Sequence, residues 1–128
     1  MILRRFLLVV IAAALLLGSL LPERITAHAK LVRAIPAPGT VLRAVPPAVR
    51  LWFNEELEPS LSNLTVWGPR GVTAVSGTGG VDLNDLERKS MVARLNPLRA
   101  GTYTVRWKAR SADDLAVTQG SYQFIVRP

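Results

Sequence analysis

The chain lacks cysteine altogether, and among its 128 residues it has one histidine and two methionines. Without cysteine there is no disulfide to hold an exported fold, and no thiolate to bind structural zinc or Cu(I). Met91 is the one methionine outside the N-terminal segment and lies in an alternating apolar pattern. We therefore predict that Met91 packs in the core, and that the chain builds no thioether site for Cu(I).

The same scarcity argues against catalysis and nucleic-acid binding. There is no cysteine nucleophile, and the single histidine, His28, stands near the start of the chain, so no Ser-His-Asp constellation is available. No glycine-rich phosphate loop or dinucleotide fingerprint occurs. Basic residues are scattered instead of clustered, which does not indicate a nucleic-acid surface. We predict a protein that is not an enzyme.

Residues 1–27 have the pattern of an export signal. Arg4 and Arg5 precede an uncharged, mostly aliphatic run over residues 6–21, which ends in a short polar stretch and small residues. A membrane-spanning helix needs about 20 apolar residues, which is more than this run supplies. We predict a cleaved secretory signal, a periplasmic or otherwise extracytoplasmic protein, and no stable membrane insertion after cleavage; an uncleaved anchor is the alternative.

The cleavage point has two candidates, after Ala27 and after Ala29, and the second fits the small-x-small rule better. Cleavage after Ala27 would leave His28 as the first residue, with a free α-amine and an imidazole. These two nitrogen donors form a chelating pair suited to Cu(II). Cleavage after Ala29 would remove this pair.

The remaining residues 28–128 are predicted to form one domain with one core. Of the charged residues, 13 basic and 8 acidic ones lie after residue 27, which gives a net charge of +5. This excess favours anionic membrane surfaces or acidic partners.

Apolar residues alternate with polar ones throughout this domain, as Tyr103, Val105, Trp107 and Ala109 do, and proline- and glycine-rich turns separate the runs. The runs predict about seven short strands, including residues 30–35 and 72–75, with a loop over residues 81–89. We predict an all-β fold, an immunoglobulin-like Greek-key β-sandwich. Tyr103 follows a tight turn, which is typical of the tyrosine corner of such sandwiches.

Several stretches together resemble the CopC/PcoC copper-resistance family of small periplasmic β-sandwich proteins. The landmarks cover the domain in the family's order: residues 28–31 (HAKL), 36–39 (PAPG), 51–59 (LWFNEELEP), 98–107 (LRAGTYTVRW), 111–113 (SAD) and 120–124 (GSYQF). The resemblance implies that the mature chain begins at His28. It also implies a copper-uptake membrane protein as partner.

The resemblance further implies a Cu(II) site. Its ligands would be the amine and imidazole of His28 and the carboxylate of Asp113, with Glu55 as the acidic residue sometimes placed near the metal. Leu115 stands where the family has a second histidine, and Asp114 adds a carboxylate beside Asp113. One imidazole with carboxylates makes a harder and weaker copper site, so we expect weaker Cu(II) binding than is usual for the family.

A second hypothesis is a protein-interaction module that keeps the sandwich but has lost effective copper binding. Trp52 and Trp67 occupy strand positions whose side chains are predicted to point away from the core. Arg106, Lys108 and Arg110 form a basic row. In this hypothesis they are the contact face.

Overall fold

The computed structural model describes residues 28–97 and 99–128. The predicted signal over residues 1–27 lies outside the described part of the chain. The described residues contain eight strands and two short 3-10 turns. The strands are β1 Leu31–Ile35, β2 Val41–Leu42, β3 Ala48–Phe53, β4 Asn63–Trp67, β5 Gly80–Val81, β6 Ser90–Arg94, β7 Gly101–Arg110 and β8 Val117–Val126.

The strands form two four-stranded sheets, with orders β1-β3-β6-β5 and β2-β8-β7-β4. Neighbours are antiparallel except β2, which runs parallel to β8. The apolar faces of both sheets meet in one core, to which Met91 contributes a fully buried side chain. The predicted β-sandwich and the packing role of Met91 are confirmed.

Strand β7 shows why the alternating pattern positions residues correctly. Successive side chains point to opposite faces, so Tyr103, Val105 and Ala109 are buried while Arg106 and Lys108 are exposed. This alternation leaves one face of each sheet exposed to solvent and buries the other face in the core.

The tyrosine corner is also confirmed. The Tyr103 hydroxyl donates to the carbonyl oxygen of Arg99 at 2.7 Å. Its ring stacks on Phe124 with centroids 5.1 Å apart. Burial of the phenol raises the pKa of Tyr103, and the corner fixes the start of β7 against the turn before it.

The prediction of a strand over residues 72–75 is wrong. Thr73 makes one bridge to Trp67 in one sheet, and Val75 makes one bridge to Leu95 beside the other. The segment crosses between the sheets after a turn with left-handed backbone, so it cannot follow either edge for long. The predicted loop over residues 81–89 is found from residue 82 onward, because β5 takes residue 81.

Four segments come together at one end of the sandwich. The registers pair Leu31 with Phe53 and Arg110 with Val117, so the start of β1, the end of β3 and the β7–β8 turn share this end. Residues 28–30, 54–62, 82–89 and 111–116 therefore cap the same end, which we call the His28 end. Residues 36–47, 68–76 and 95–100 cap the opposite end.

Candidate metal site

The backbone next to His28 is fixed by three hydrogen bonds. The Thr118 hydroxyl donates to the carbonyl oxygen of Ala29 at 2.7 Å. The amide of Lys30 donates to Asn54 Oδ1 at 2.7 Å, and the amide of Asn54 returns a bond to the Lys30 carbonyl at 3.1 Å. Ala29 is 1% exposed and belongs to the core. The chain is thus anchored one residue after His28.

This anchor places His28 beside Asp114. His28 Nδ1 lies 4.0 Å from Asp114 Oδ2, with the side chains 50% and 21% exposed. Bonds from a divalent metal to nitrogen and oxygen ligands are each about 2 Å, so a metal ion fits between the two atoms. The α-amine and Nδ1 of one histidine also close a chelate ring, so the nitrogen facing Asp114 is the one that chelation uses.

Asp114 has one satisfied and one unsatisfied carboxylate oxygen. Its Oδ1 accepts a hydrogen bond from the amide of Ala116 at 2.9 Å, which fixes the side chain within the turn. Its Oδ2 is buried and has no hydrogen-bond partner among residues 28–97 and 99–128. A buried charged oxygen without a partner is costly, and a bound cation would remove that cost. The chemistry of this oxygen therefore fits a metal ligand.

The turn over residues 111–116 is held rigidly enough to present Asp114. Fully buried Ser111 donates its amide to the Ala116 carbonyl at 3.0 Å, and its Oγ accepts from the amide of Asp113 at 3.3 Å. Leu115 has φ of 60°, in the left-handed region that bulky residues seldom adopt, and its side chain is 56% exposed. No described contact gives this exposed leucine a structural role in the core.

The other two site residues lie farther from the imidazole. Asp113 is exposed and Glu55 half-buried, and neither carboxylate is within 4.0 Å of the His28 imidazole. Across the described ranges, no group of three or more histidine, aspartate or glutamate side chains gathers as a metal site. The structure brings together His28 and Asp114; the roles of Asp113 and Glu55 stay predictions.

Sequence reasoning missed the two anchoring residues. Asn54 stands within the stretch that carries the family resemblance, so its position was visible but its role was not. Thr118 carries no sequence signal, because its bond to Ala29 joins residues 89 positions apart.

The residues of the interaction hypothesis divide between covered and exposed. Trp52 is half-buried, with the Arg33 guanidinium 4.8 Å above its ring centroid, whereas Trp67 is 38% exposed. In the basic row, Arg106 is exposed and Arg110 half-buried.

In the part of the chain described here, no helix is long and apolar enough to cross a membrane.

Comparison with known proteins gives consistent matches. A family model for the CopC domain matches residues 31–127. Copper resistance protein C of Pseudomonas syringae pv. tomato is 35% identical in an alignment of 137 positions that covers 99% of this chain and 100% of that protein. Protein YobA of Escherichia coli K12 is 33% identical over 117 residues, covering 91% of this chain and 92% of that protein.

Two solved structures have the same architecture. CopC from Methylosinus trichosporium OB3b aligns with a TM-score of 0.69 at 27% identity, over 79% of this chain and 95% of that one. PcoC, a methionine-rich copper resistance protein from Escherichia coli, aligns with a TM-score of 0.64 at 29% identity, over 79% of this chain and 100% of that one. The likeness therefore spans the whole sandwich.

Proposed function

Because the chain belongs to the CopC domain family of copper resistance proteins, we propose that it binds Cu(II) at a mature N-terminus formed by His28. In this proposal it acts outside the cytoplasm as a copper-handling protein without catalytic activity. The observation that carries the proposal is the 4.0 Å approach of His28 Nδ1 to the unpartnered, buried Oδ2 of Asp114.

The proposed site uses three donors from two residues. The α-amine and Nδ1 of His28 would chelate the ion, and the carboxylate of Asp114 would supply a negatively charged oxygen. Asp113 or water completes the ligand set from the exposed side of the turn. Because the amine and imidazole must be deprotonated to bind, we expect the affinity for Cu(II) to fall as the pH is lowered.

The proposal requires cleavage after Ala27, and the buried state of Ala29 supports this position. Cleavage after Ala29 would remove a side chain that is 1% exposed in the core. It would also take away the carbonyl oxygen to which Thr118 donates. Cleavage after Ala27 preserves both interactions and exposes the amine of His28.

Leu115 explains the weaker affinity that we propose. With leucine at this position the turn offers carboxylates but no imidazole, and carboxylates are harder ligands that favour Cu(II) less. A loosely held ion suits transfer or temporary sequestration. We propose a copper-uptake membrane protein as the acceptor, on the basis of the family resemblance alone.

A pair of isosteric variants tests the site. Asp114→Asn removes the charge but keeps an oxygen for the Ala116 amide. Asp113→Asn makes the same change at the neighbouring carboxylate, which lies farther from the imidazole. In a competition titration of the exported protein with Cu(II), we expect Asp114→Asn to lose at least about tenfold in affinity. We expect Asp113→Asn to lose about threefold or less.

Each other outcome has a definite meaning. If Asp113→Asn causes the larger loss, Asp113 is the ligand and the structural assignment to Asp114 is wrong. If both variants bind like the wild type, the carboxylates play no part. If the wild type itself does not retain Cu(II), the proposed function fails and the interaction module remains.

Restoring the second imidazole separates the two functions independently. Leu115 is exposed and its left-handed backbone is one that histidine adopts more readily, so Leu115→His should not disturb the fold. We expect a gain of at least about tenfold in Cu(II) affinity, with additional nitrogen coupling in the electron paramagnetic resonance spectrum. An unchanged affinity and spectrum would favour a site that has decayed.

A further inference from the structure

Charge is distributed very unevenly between the two ends of the sandwich. Of the nine acidic residues of the chain, Glu23 precedes the described part, and the other eight all lie in three loops at the His28 end. They are Glu55, Glu56, Glu58, Asp82, Asp85, Glu87, Asp113 and Asp114. Among the described residues, no acidic side chain lies on a strand or at the opposite end.

The opposite end carries exposed arginines instead. They are Arg43, Arg70, Arg94, Arg99 and Arg127. None of them takes part in the ion pairs of Arg50 and Lys89 found within residues 28–97 and 99–128, or in the 4.0 Å contact of His28 with Asp114. We call these five residues and the loops that hold them the arginine end.

A cleft at the arginine end combines guanidinium groups with apolar surface. It has a volume of about 400 Å³ and is lined by residues 69, 70, 72, 99 and 100, so that Arg70 and Arg99 both border it. The two segments pack closely, since a Cβ on Gly101 would lie 2.5 Å from Pro69 Cγ. Val72, which is 53% exposed, is one of the lining residues, and Trp67, which is 38% exposed, bridges to Thr73 in the next position of that segment.

We propose that the arginine end docks on an anionic lipid bilayer, with a headgroup phosphate held between Arg70 and Arg99. Guanidinium groups match phosphate in charge and hydrogen-bonding geometry, and tryptophan partitions to the membrane interface. A bilayer surface offers anionic and apolar contacts at the same depth, which suits the mixture of Trp67, Val72 and the arginines. An acidic protein surface would match as well only if it placed apolar groups opposite Trp67 and Val72.

The acidic residues at the His28 end do not cancel this attraction, because they are too far away. Strand β7 has ten residues and spans the sandwich, which at about 3.4 Å per residue separates the ends by roughly 30 Å. This is about three Debye lengths at 0.1 M salt, so a charged surface interacts with the nearer end alone. Docking would turn the His28 end away from the bilayer, so that copper would pass to the proposed membrane acceptor from the undocked protein.

Vesicle co-sedimentation of the exported protein tests the proposal. We expect binding to vesicles of phosphatidylcholine mixed with phosphatidylglycerol, weaker binding as salt is raised, and no binding to phosphatidylcholine alone. The double variant Arg70→Gln/Arg99→Gln should reduce partitioning about 30-fold. The matched variant Arg106→Gln/Lys108→Gln removes the same charge from the exposed face of β7 and should change partitioning by about threefold or less.

Three results would overturn the proposal. Equal losses in both double variants would mean attraction by net charge without a preferred end. An absence of binding to the anionic vesicles, including a case in which the protein binds an acidic protein instead, would exclude bilayer docking. Complete displacement by inorganic phosphate at constant ionic strength would indicate a site for a soluble anion. Thermal melts establish that both variants, altered only at exposed side chains, remain folded.

Discussion

Thr118→Val removes the hydrogen bond that ties the N-terminal segment to the sandwich. Valine keeps the branched shape and suits a strand, but it leaves the carbonyl of Ala29 without the donor that now lies 2.7 Å away. Ala29 is buried, so this carbonyl loses its partner in a place that water reaches poorly. A buried polar group left unsatisfied costs about 1–3 kcal/mol. In a domain of this size that lowers Tm by about 10 °C.

The same change should weaken Cu(II) binding, because the bond holds His28 near Asp114. If the less ordered position of His28 reduces the free energy of Cu(II) binding by about 1 kcal/mol, the affinity falls about fivefold. Differential scanning calorimetry of the copper-free protein measures the first effect, and a competition titration with Cu(II) measures the second. Thr118→Ser keeps the hydroxyl and serves as one control. Thr65→Val serves as the other, since the Thr65 hydroxyl makes only a 3.5 Å contact in an exposed position.

Two results would refute this reasoning. If Thr118→Val has the same Tm as Thr118→Ser and the wild type, the hydrogen bond does not anchor the segment. A protein that loses stability but binds Cu(II) with unchanged affinity would show that the anchor does not position His28. The first result concerns the fold, and the second concerns its connection to the site.

Two further predictions concern the strand β8. Gly120→Ala should lower the free energy of unfolding by about 1–3 kcal/mol in a denaturant titration, because its Cβ would lie 2.5 Å from Cζ2 of Trp107. Gly80→Ala is the control and should lower it less, because its Cβ meets nothing nearer than 3.6 Å. Equal losses of stability would contradict the packing argument. Burial raises the pKa of Tyr122, which donates to the Pro36 carbonyl, to about 12. The neutral phenol therefore stabilises the fold below the ordinary tyrosine pKa of about 10, and this contribution is lost as the pH rises towards 12. An absorbance titration at high pH should show a late step that Tyr122→Phe lacks. If the step that this variant removes lies near pH 10, the Tyr122 phenol is not buried as described.

Much of the fold could be predicted because the local pattern and the final packing agree. In β7 the alternation alone distinguishes buried Val105 from exposed Arg106, since a half-buried strand admits only two side-chain directions. The tyrosine corner was predictable for a similar reason. Its hydroxyl reaches Arg99 only four residues away, so the interaction is local in sequence.

The short and crossing segments could not be predicted in the same way. Residues 72–75 alternate like a strand, but the left-handed turn at Arg70 and Gly71 directs them from one sheet to the other. Strands β2 and β5 have two residues each, which is too short to show any period. Their pairing depends on neighbours that are distant in the sequence.

The residues of the candidate site could be predicted from the sequence, but their relative positions could not. Amine and imidazole chemistry predicted His28 as a ligand, whereas the family resemblance predicted Asp113, with Asp114 as an additional carboxylate beside it. The sequence alone could not tell which aspartate faces the imidazole, since adjacent residues of a tight turn point in different directions. The structure places Asp114 there because its Oδ1 is tied to the Ala116 amide.

The most direct test of the account is a native mass spectrum of the exported protein with one equivalent of Cu(II). We predict a mass beginning at His28, with one copper ion retained against competition by glycine. A mass beginning at Lys30 would show that the chelating terminus never forms. A His28 terminus that retains no copper would equally contradict the proposed function.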